Sequence, residues 1–485
     1  MIERRELYID GQWVVPSSGE VITVDEAATG DIIGSVPSAD LTDAERAILA
    51  ARRSADALEA MPIGDRADVV TAIAAGLRAR EDELARVMAQ EVGTPLPSSV
   101  RVQVGLAATV LETIADAARE LPAEERIGTS MVIRVPAGVV GAITPWNYPL
   151  YQLAAKVGPA LAAGCPVVVK PSSVAPLATF ALADIVDELD LPAGAFNLVS
   201  GPGALVGDLL SSHPEVDMVS LTGSTGAGVQ VARAAAGTIK KVALELGGKS
   251  AFLLAEGADM DAAMAAAVRG CFVNNGQTCS ATTRLIVPRS LLAEVEERVA
   301  ALVDAMVVGN PLDEGVDLGP VASASQFRTV SKYIEIGMEE GTLVVGGPGP
   351  VPGVDRGYFV KPTVFSRLDP GATIVQEEIF GPVLSIVAYD EGIEQGIAIA
   401  NDSDFGLSGA VFAEDIPTAV SIARRLRTGQ VAVNGGRFNA KAPFGGFKQS
   451  GVGRELGHHG LLEYFELLSL QFPSADDLGS FGQTV

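Results

Sequence analysis

Histidine is scarce in this sequence. Its 485 residues include only three histidines, His213, His458 and His459, and two of these are adjacent. Histidine is the commonest metal ligand in proteins and the general base of serine-hydrolase triads. We therefore expect neither a histidine-bound metal nor a Ser-His-Asp triad, and we interpret the adjacent pair as surface residues. The cysteine and acidic residues show no metal-binding spacing either, so we predict no metal site.

Cysteine is equally rare, with residues only at 165, 271 and 279. Three cysteines cannot form a disulfide framework in a chain of this length, so they fit a reducing compartment and leave room for one reactive thiol. The first ten residues, MIERRELYID, lead into no apolar stretch typical of a secretory signal. The chain also has no run of 18 apolar residues. We expect a cytoplasmic protein without a membrane segment.

Basic residues are outnumbered: 35 Lys and Arg stand against 60 Asp and Glu, for a formal charge of −25. A surface this negative repels phosphate backbones and anionic membranes, so we predict neither as a partner. Hydrophobic residues make up 48% of the chain, enough for a large core, which excludes intrinsic disorder. The length indicates about three domains.

The first part of the chain shows two local patterns. Asp10-Gly11 between short apolar runs predicts a hairpin. Thr-Asp-Ala-Glu at 42–45 resembles a capping box and predicts a helix to about residue 60, followed by a second helix over residues 65–91 that ends at Gly93.

From residue 135, short apolar strands alternate with helices, which predicts a parallel sheet covered on both faces. The predicted strands cover residues 139–144, 166–170, 196–200, 216–222 and 242–246. Ligands bind such sheets beyond the carboxyl ends of the strands, and the residues found there are Asn147, Lys170, Gly223 and Glu245. A second α/β series follows, with a helix at 260–275, a strand at 284–287, a helix to about 306 and a surface loop at 341–357.

Two glycine-rich loops could bind a pyrophosphate, although a regular G-x-G-x-x-G is absent. Residues 201–207 have one residue too many, and residues 223–228 have a different internal order but lie between a predicted strand and helix. Backbone N–H groups at such a helix start bind phosphate groups. The alternative is that these glycines only close tight turns.

Cys279 and Glu245 have unusual surroundings. Cys279 lies in a small polar stretch, which favours a reachable thiolate, whereas Cys271 lies beside Phe272 and Val273 in the manner of an inert buried thiol. Glu245 follows an apolar strand, where burial raises a carboxyl pKa toward the range of a general base. Asn147, at another strand end, could donate to a developing oxyanion. The alternatives are an inert thiol at Cys279, an edge-strand carboxylate at Glu245 and a simple turn at Asn147.

Seven motifs together resemble the aldehyde dehydrogenase superfamily across essentially the whole chain, in the family's order and spacing. They are Pro-Trp-Asn-Tyr-Pro at 145–149, Lys-Pro-Ser at 170–172, Thr-Gly-Ser-Thr at 222–225, Glu-Leu-Gly-Gly-Lys at 245–249, Asn-Gly-Gln-Thr-Cys at 275–279, Glu-Glu-Ile-Phe-Gly-Pro at 377–382 and Pro-Phe-Gly-Gly-Phe-Lys-Gln-Ser-Gly at 443–451. The resemblance implies an α/β fold with a Rossmann-like cofactor domain, an α/β catalytic domain and a small β extension for oligomerisation. Mapped onto this chain, these are residues 1–119 and 135–248, residues 249–463, and residues 120–134 and 464–485.

The resemblance also implies a reaction and its residues. The protein would oxidise an aldehyde to a carboxylic acid with NAD or NADP, as a homodimer or homotetramer. Cys279 would be the nucleophile that forms a thiohemiacetal and then a thioester, Asn147 an oxyanion donor, and Glu245 the base that activates water. The implied cofactor-binding residues are Lys170, Ser173, Gly223, Ser224, Glu378, Phe380 and Trp146.

One departure from the family concerns the cofactor. Many NAD-preferring members have a glutamate three residues after the lysine, where it repels a 2′-phosphate, but here that residue is Ser173. We therefore predict that NADP is tolerated. Residues 434–442 would border the substrate entrance, where Arg437 either meets an anionic aldehyde or is simply solvated.

Three alternatives remain open. A CoA-acylating semialdehyde dehydrogenase is disfavoured because such relatives typically lack the glutamate found here at 245. A non-catalytic structural or binding protein on the same fold is disfavoured because Cys279, Glu245 and Asn147 occur together. A thiol esterase that needs no dinucleotide is the third.

Overall fold

The computed structural model of the protein describes residues 1–122 and 124–481. Its strands, in chain order, are β1 Ile2–Glu3, β2 Leu7–Ile9, β3 Gln12–Val14, β4 Val21–Asp25, β5 Ile32–Pro37, β6 Glu124–Ile127, β7 Ser130–Pro136, β8 Val140–Ile143, β9 Val167–Lys170, β10 Phe196–Leu198, β11 Met218–Thr222, β12 Lys241–Glu245, β13 Ala251–Leu254, β14 Arg284–Pro288, β15 Thr342–Val345, β16 Thr363–Ser366, β17 Val383–Tyr389, β18 Phe405–Gly406, β19 Gly409–Phe412, β20 Ala432–Val433, β21 Phe447–Lys448, β22 Gly451–Val452 and β23 Phe465–Gln471.

The α-helices, in chain order, are α1 Leu41–Glu59, α2 Ile63–Ala79, α3 Glu81–Val92, α4 Leu96–Ser98, α5 Leu106–Glu120, α6 Pro149–Ala163, α7 Leu177–Asp187, α8 Asp208–Ser212, α9 Thr225–Ala235, α10 Met260–Phe272, α11 Leu292–Asp304, α12 Ala324–Glu340, α13 Thr373–Gln376, α14 Ile393–Asn401, α15 Ile416–Ala423, α16 Gly457–Leu462 and α17 Ala475–Phe481. Short π-helical segments occupy Ser99–Gly105 and Gly203–Gly207, and short 3₁₀ segments occupy Ala236–Thr238, Val273–Gly276 and Arg289–Leu291.

The first large sheet has eight strands in the order β22-β12-β11-β8-β9-β10-β2-β3. Its five central strands are parallel, and their chain order reverses between β8 and β11, as in a Rossmann-type sheet. Strand β9 is three buried valines followed by Lys170, which explains why it forms an inner strand. The predicted parallel sheet is confirmed, and its reversal point is the expected place for a ligand.

A second sheet of seven strands has the order β15-β16-β17-β14-β13-β19-β20, with only β15 antiparallel to its neighbour. A third sheet, β23-β7-β6, is antiparallel and leaves several leucines of β23 exposed. The two large sheets give the predicted α/β architecture, and the third sheet is the predicted small β extension.

Helix α6 connects the core to the ligand edge of the first sheet. All of its residues are buried, and it packs against α2, α5 and α7. A helix that is apolar on all sides is stable only inside the core. Its first turns therefore hold side chains in fixed positions below the end of β8.

Four local predictions need correction. Helix α1 begins at Leu41, because its capping box is formed by Asp40 and Asp43 and not by residues 42–45. The single helix predicted over 65–91 is two helices that meet at Arg80, since α3 starts with three acidic residues that favour a helix N-terminus. Helix α10 ends at Phe272, before two left-handed asparagines. The loop predicted at 341–357 contains β15.

No helix within residues 1–122 and 124–481 combines the length and apolar character needed to cross a bilayer.

Candidate active site

Two cavities meet at Cys279. The larger cavity, of about 550 Å³, lies on the side of α5 and α6, and the smaller cavity, of about 210 Å³, lies at the reversal point of the first sheet. The larger is lined by Arg78, Glu81, Val100, Arg101, Val102, Gly105, Leu106, Thr109, Tyr148, Tyr151, Gln152, Val273, Thr278, Cys279, Ser280, Phe438 and Phe444. The smaller is lined by Pro145, Trp146, Asn147, Thr222, Gly223, Ser224, Glu245, Leu246, Gly247, Cys279, Gln326, Glu378 and Phe380.

The loop before Cys279 is held by buried side-chain amides. Asn274 and Asn275 have φ of 51° and 58°, a left-handed conformation that asparagine tolerates. The Asn275 amide donates to Gly93 O and Pro320 O at 2.9 and 2.8 Å and accepts from Gly319 N–H at 2.7 Å. These bonds tie the loop to two other segments of the chain and so fix the direction of the cysteine.

Gly276 can only be glycine in this loop. Its φ is +74°, and a Cβ there would lie 2.1 Å from Gly381 O. The side chain of Gln277, beside it, accepts from Ala322 N–H at 2.8 Å. The loop therefore tolerates neither a larger residue at 276 nor much movement.

The Cys279 thiol is protonated at rest. Burial, followed by the negative charges of Glu245 and Glu378, raises its pKa to about 12. The polar loop predicted a reachable thiolate. The structure places the residue on two cavities, but its nucleophilic form requires removal of a proton by a neighbouring base.

Glu245 ends β12 on the smaller cavity and is 3% exposed. Its Oε2 has no hydrogen-bond partner in the described part of the chain. Burial and the nearby charge of Glu455 raise its pKa well above the usual value of 4.5, and the positive charge of Lys156 opposes this. A carboxyl group that is buried, unbonded and close to a thiol is suited to proton transfer.

A buried ion pair lies behind Glu245. Lys156, in the middle of α6, donates from Nζ to Glu455 Oε1 at 2.5 Å and to Ser220 Oγ at 3.1 Å. Lys156 is fully buried and Glu455 is 3% exposed. Because Lys156 and Glu455 have opposite effects on the Glu245 pKa, their pairing sets the electrostatic potential at that carboxyl.

Asn147 lies beyond the end of β8 and its side chain is fixed from one side. Its Nδ2 donates to Gln277 O at 3.0 Å. Its backbone carbonyl accepts from Gln103 Nε2 at 2.9 Å and from Asn274 Nδ2 at 3.0 Å. A side-chain amide carries two N–H groups, so the second remains for the cavity beside Cys279.

Gly223 and Ser224 connect β11 to α9 on the wall of the smaller cavity. Ser224 is the N-cap of this 11-residue helix, and its Oγ accepts from Ala227 N–H at 3.3 Å. The helix start presents its remaining N–H groups at the reversal point of the sheet, which is the arrangement that binds a pyrophosphate.

Glu378 reaches the same cavity because Gly247 has no side chain. A Cβ on Gly247 would lie 2.1 Å from Glu378 Oε2, and Gly248 N–H donates to Glu378 Oε1 at 2.8 Å. Burial raises the pKa of Glu378 to about 7. Opposite it, Trp146 and Phe380 meet edge to face with ring centroids 5.4 Å apart, which adds an aromatic wall.

Lys170 and Ser173 lie outside both cavities. Lys170 ends β9, is 4% exposed and donates from Nζ to Pro171 O at 2.6 Å, while burial lowers its pKa to about 8. Ser173 is partly exposed three residues later. Lys170 is the last residue of β9 and Ser173 follows it by three residues, at the edge of the sheet that also carries the smaller cavity. A cavity at the reversal point of the sheet, a helix start, an aromatic wall and a buried lysine together fit an extended dinucleotide.

Several residues of the site were missed from the sequence. The buried amides of Asn274, Asn275, Gln277 and Gln103 and the ion pair Lys156–Glu455 were not predicted. Two successive asparagines before a glycine were a usable signal for a left-handed turn.

The loop 434–442 contacts the larger cavity through Phe438, whereas Arg437 is exposed and does not line it. The described residues contain no cluster of His, Cys, Asp or Glu able to hold a metal ion.

Comparison with known proteins gives a consistent result. The sequence model of the "Aldehyde dehydrogenase family" matches residues 13–469. The 3-succinoylsemialdehyde-pyridine dehydrogenase of a Pseudomonas species is 44% identical over 469 residues, which cover 96% of this chain and 98% of the relative. A cysteine-to-alanine variant of aldehyde dehydrogenase C from Pseudomonas syringae, solved with NAD⁺ and octanal, is 44% identical with a TM-score of 0.95 and 96% coverage of both chains. Betaine aldehyde dehydrogenase from Staphylococcus aureus, solved with NAD⁺, is 36% identical with a TM-score of 0.94, covering 97% of this chain and 95% of its own.

Proposed function

The chain belongs to the aldehyde dehydrogenase family, and on that premise we propose that it oxidises an aldehyde to the free carboxylic acid with NAD⁺ or NADP⁺. The observation that carries this proposal is the position of Cys279, which lines both cavities, with Glu245 on the wall of the smaller one. An aldehyde in the larger cavity and a dinucleotide in the smaller would meet at this sulfur.

The larger cavity supports an uncharged, elongated substrate. Its wall is mainly aliphatic and aromatic, and the charged residues on it, Arg78, Glu81 and Arg101, are partly or fully exposed. The related P. syringae structure holds octanal, and the Pseudomonas relative is named for a pyridine-substituted semialdehyde. We therefore propose an aliphatic or aryl-substituted aldehyde of medium length.

The first step would use Glu245 and Cys279 as a coupled pair. Burial and then the negative charge of Glu245 raise the pKa of the Cys279 thiol, so the site holds one negative charge more easily than two. The Glu245 carboxylate takes the thiol proton, and the sulfur adds to the carbonyl carbon to give a thiohemiacetal. Asn147 Nδ2 and the Cys279 backbone N–H donate to the resulting oxyanion.

Loss of hydride from the thiohemiacetal carbon leaves a thioester on Cys279. The chemistry that the nicotinamide ring supplies when bound is acceptance of this hydride. After Glu245 has released the thiol proton to solvent, its carboxylate removes a proton from a water molecule that attacks the thioester. The acid then leaves as the C–S bond breaks, and the departing thiolate takes the proton back from Glu245. Lys156, whose positive charge lowers the pKa of Glu245, supports the carboxylate form in this step.

The dinucleotide would be bound by residues from three strand ends and from the loop between α13 and β17. In this proposal Lys170 and Ser173 contact the adenosine ribose, Gly223 and Ser224 the pyrophosphate, and Glu378 the nicotinamide ribose. Phe380 and Trp146 form the aromatic wall beside the ring. The buried Lys170, with one carbonyl partner, retains two donor hydrogens for a ribose. The domain division given by the resemblance, with residues 249–463 carrying Cys279, is part of the same proposal.

The third sheet supports a homo-oligomer. Strand β23 is an edge strand, and its other side is unpaired among the described residues. Its exposed apolar residues are Leu467, Leu468 and Leu470. An exposed apolar edge strand favours pairing with another chain. We propose that β23 contacts a second subunit in a dimer or tetramer, which light scattering on the purified protein would measure.

Formation of reduced nicotinamide from octanal, in the presence of NAD⁺, tests the proposal. Cys279→Ala is expected to lose activity completely, whereas Cys271→Ala, at a buried thiol away from both cavities, retains it. Activity that survives Cys279→Ala, or a wild-type protein that oxidises no aldehyde in a broad panel, would contradict the proposal.

A further inference from the structure

Tyr151 places a free hydroxyl on the wall of the larger cavity. It is the third residue of α6, is 6% exposed and lines the cavity together with Cys279. Its hydroxyl makes no hydrogen bond within the described residues. The hydroxyl is thus a donor that opens onto the cavity and is available to a molecule that enters it.

The neighbouring tyrosine behaves differently. The Tyr148 hydroxyl lies 2.7 Å from Thr278 Oγ1, which itself donates to Val273 O at 3.2 Å. The Tyr148 hydrogen is therefore used inside the protein. The cavity has two phenols side by side, and only that of Tyr151 is available as a donor.

The position of the Tyr151 ring is fixed by aromatic contacts. It meets Tyr148 edge to face at 6.1 Å and 80°, and Phe438 at 6.4 Å and 81°. Such contacts orient aromatic rings, and α6 is buried along its length. A donor held this rigidly binds an acceptor with little loss of conformational entropy.

The hydroxyl also lies near the reacting atoms and stays protonated. Burial, and then the negative charges of Glu455, Cys279 and Glu245, keep the pKa of Tyr151 well above its usual value of 10. Its ring contacts that of Tyr148, whose hydroxyl is bonded to Thr278, the residue before Cys279, so an acceptor for Tyr151 would lie on the stretch of cavity next to the sulfur. Among the other polar side chains of the cavity, Gln152 Oε1 accepts from Thr222 Oγ1, which leaves its Nε2 as a second donor, and Arg78 pairs with Glu112.

We propose that Tyr151 selects aldehydes that carry an oxygen acceptor, such as a ketone, on the chain a few bonds from the aldehyde carbon. This inference rests on the proposed function, because it assumes that the aldehyde bonds to Cys279. The remaining wall is mainly apolar, so the rest of the substrate is a hydrocarbon chain or ring. A site built around a hydrogen bond discriminates against analogues that lack the acceptor, because the buried donor is then left unpaired.

Three aldehydes of one chain length test the proposal: octanal, 4-oxooctanal and 5-oxooctanal. The measurement is kcat/KM for formation of reduced nicotinamide with the wild-type protein, Tyr151→Phe and Tyr148→Phe. We expect the wild type to prefer at least one oxoaldehyde over octanal by about 3- to 10-fold, the effect of one neutral hydrogen bond. Tyr151→Phe should bring that ratio close to unity, and Tyr148→Phe should keep the wild-type ratio.

Two results would overturn the proposal. One is a ratio of oxoaldehyde to octanal that Tyr151→Phe leaves unchanged. An equal loss of activity with all three substrates belongs to this case and would assign the hydroxyl to the reaction itself or to packing. The other is a wild-type protein that prefers neither oxoaldehyde over octanal. Failure of the wild type to oxidise any of the three aldehydes would instead contradict the proposed function, so the two failures are distinguishable.

Discussion

Replacing Lys156 by methionine isolates the energetic role of the buried ion pair. Methionine fills a similar volume but leaves the Glu455 carboxylate, which is 3% exposed, without its cation. Removing one partner of a buried pair costs about 3–5 kcal/mol, because the remaining charge is uncompensated. Unfolding entropy is about 2.1 cal/mol/K per residue, so 485 residues that unfold together give about 1 kcal/mol/K. The expected fall in Tm is therefore about 3–5 °C.

Thermal unfolding followed by circular dichroism at one scan rate is the assay. Glu455→Gln and the double variant Lys156→Met/Glu455→Gln are the matched controls. The double variant should regain much of the lost stability, since it buries no unpaired charge. The reasoning is refuted if Lys156→Met lowers Tm by less than about 1 °C, or if the double variant is no more stable than Lys156→Met alone.

Three further predictions concern the cofactor, the loop and the base. Ser173→Glu should reduce kcat/KM for NADP⁺ relative to NAD⁺ by about tenfold or more through charge repulsion, and an unchanged ratio would remove Ser173 from the ribose site. Gly276→Ala should abolish activity, because a Cβ there would lie 2.1 Å from Gly381 O. The control Gly64→Ala, where a Cβ would have nothing within 4 Å, should keep the wild-type activity. Similar activities of the two variants in parallel assays would show that the loop adapts to the larger residue. Glu245 acts as a base only when it is ionised, and its pKa is raised, so kcat should fall as the pH decreases through that pKa. Lys156→Met removes a positive charge that lowers this pKa and should move the fall to higher pH. A pH profile of the variant identical to that of the wild type would contradict the coupling.

The ligand edge of the first sheet could be predicted from the sequence because local patterns determine it. Valine-rich runs identified β9 as an inner strand, and Lys170 follows directly. The same reasoning placed Asn147, Gly223 and Glu245 beyond neighbouring strand ends, where the structure finds them. Parallel strands share one carboxyl edge, so residues distant in sequence were correctly expected to lie together.

Contacts between distant side chains could not be predicted in this way. Lys156 and Glu455 are 299 residues apart in sequence, and the residues around each one do not distinguish it from a charged surface residue. The Tyr148 hydroxyl is bonded to Thr278 Oγ1, 130 residues away, and no local pattern distinguishes it from the hydroxyl of Tyr151. The break at Arg80 was missed because apolar spacing continues through it, although the acidic residues that follow were a helix-start signal.

The most direct test of the account is a rapid-mixing experiment on Glu245→Gln with octanal and NAD⁺, followed by mass spectrometry of the quenched protein. If Cys279 carries the acyl group and Glu245 activates the water, this variant should release a stoichiometric burst of reduced nicotinamide. Turnover should then stall, with the octanoyl mass on the peptide that contains Cys279. Steady turnover at the wild-type rate, or a burst that leaves no acyl group on that peptide, would contradict it.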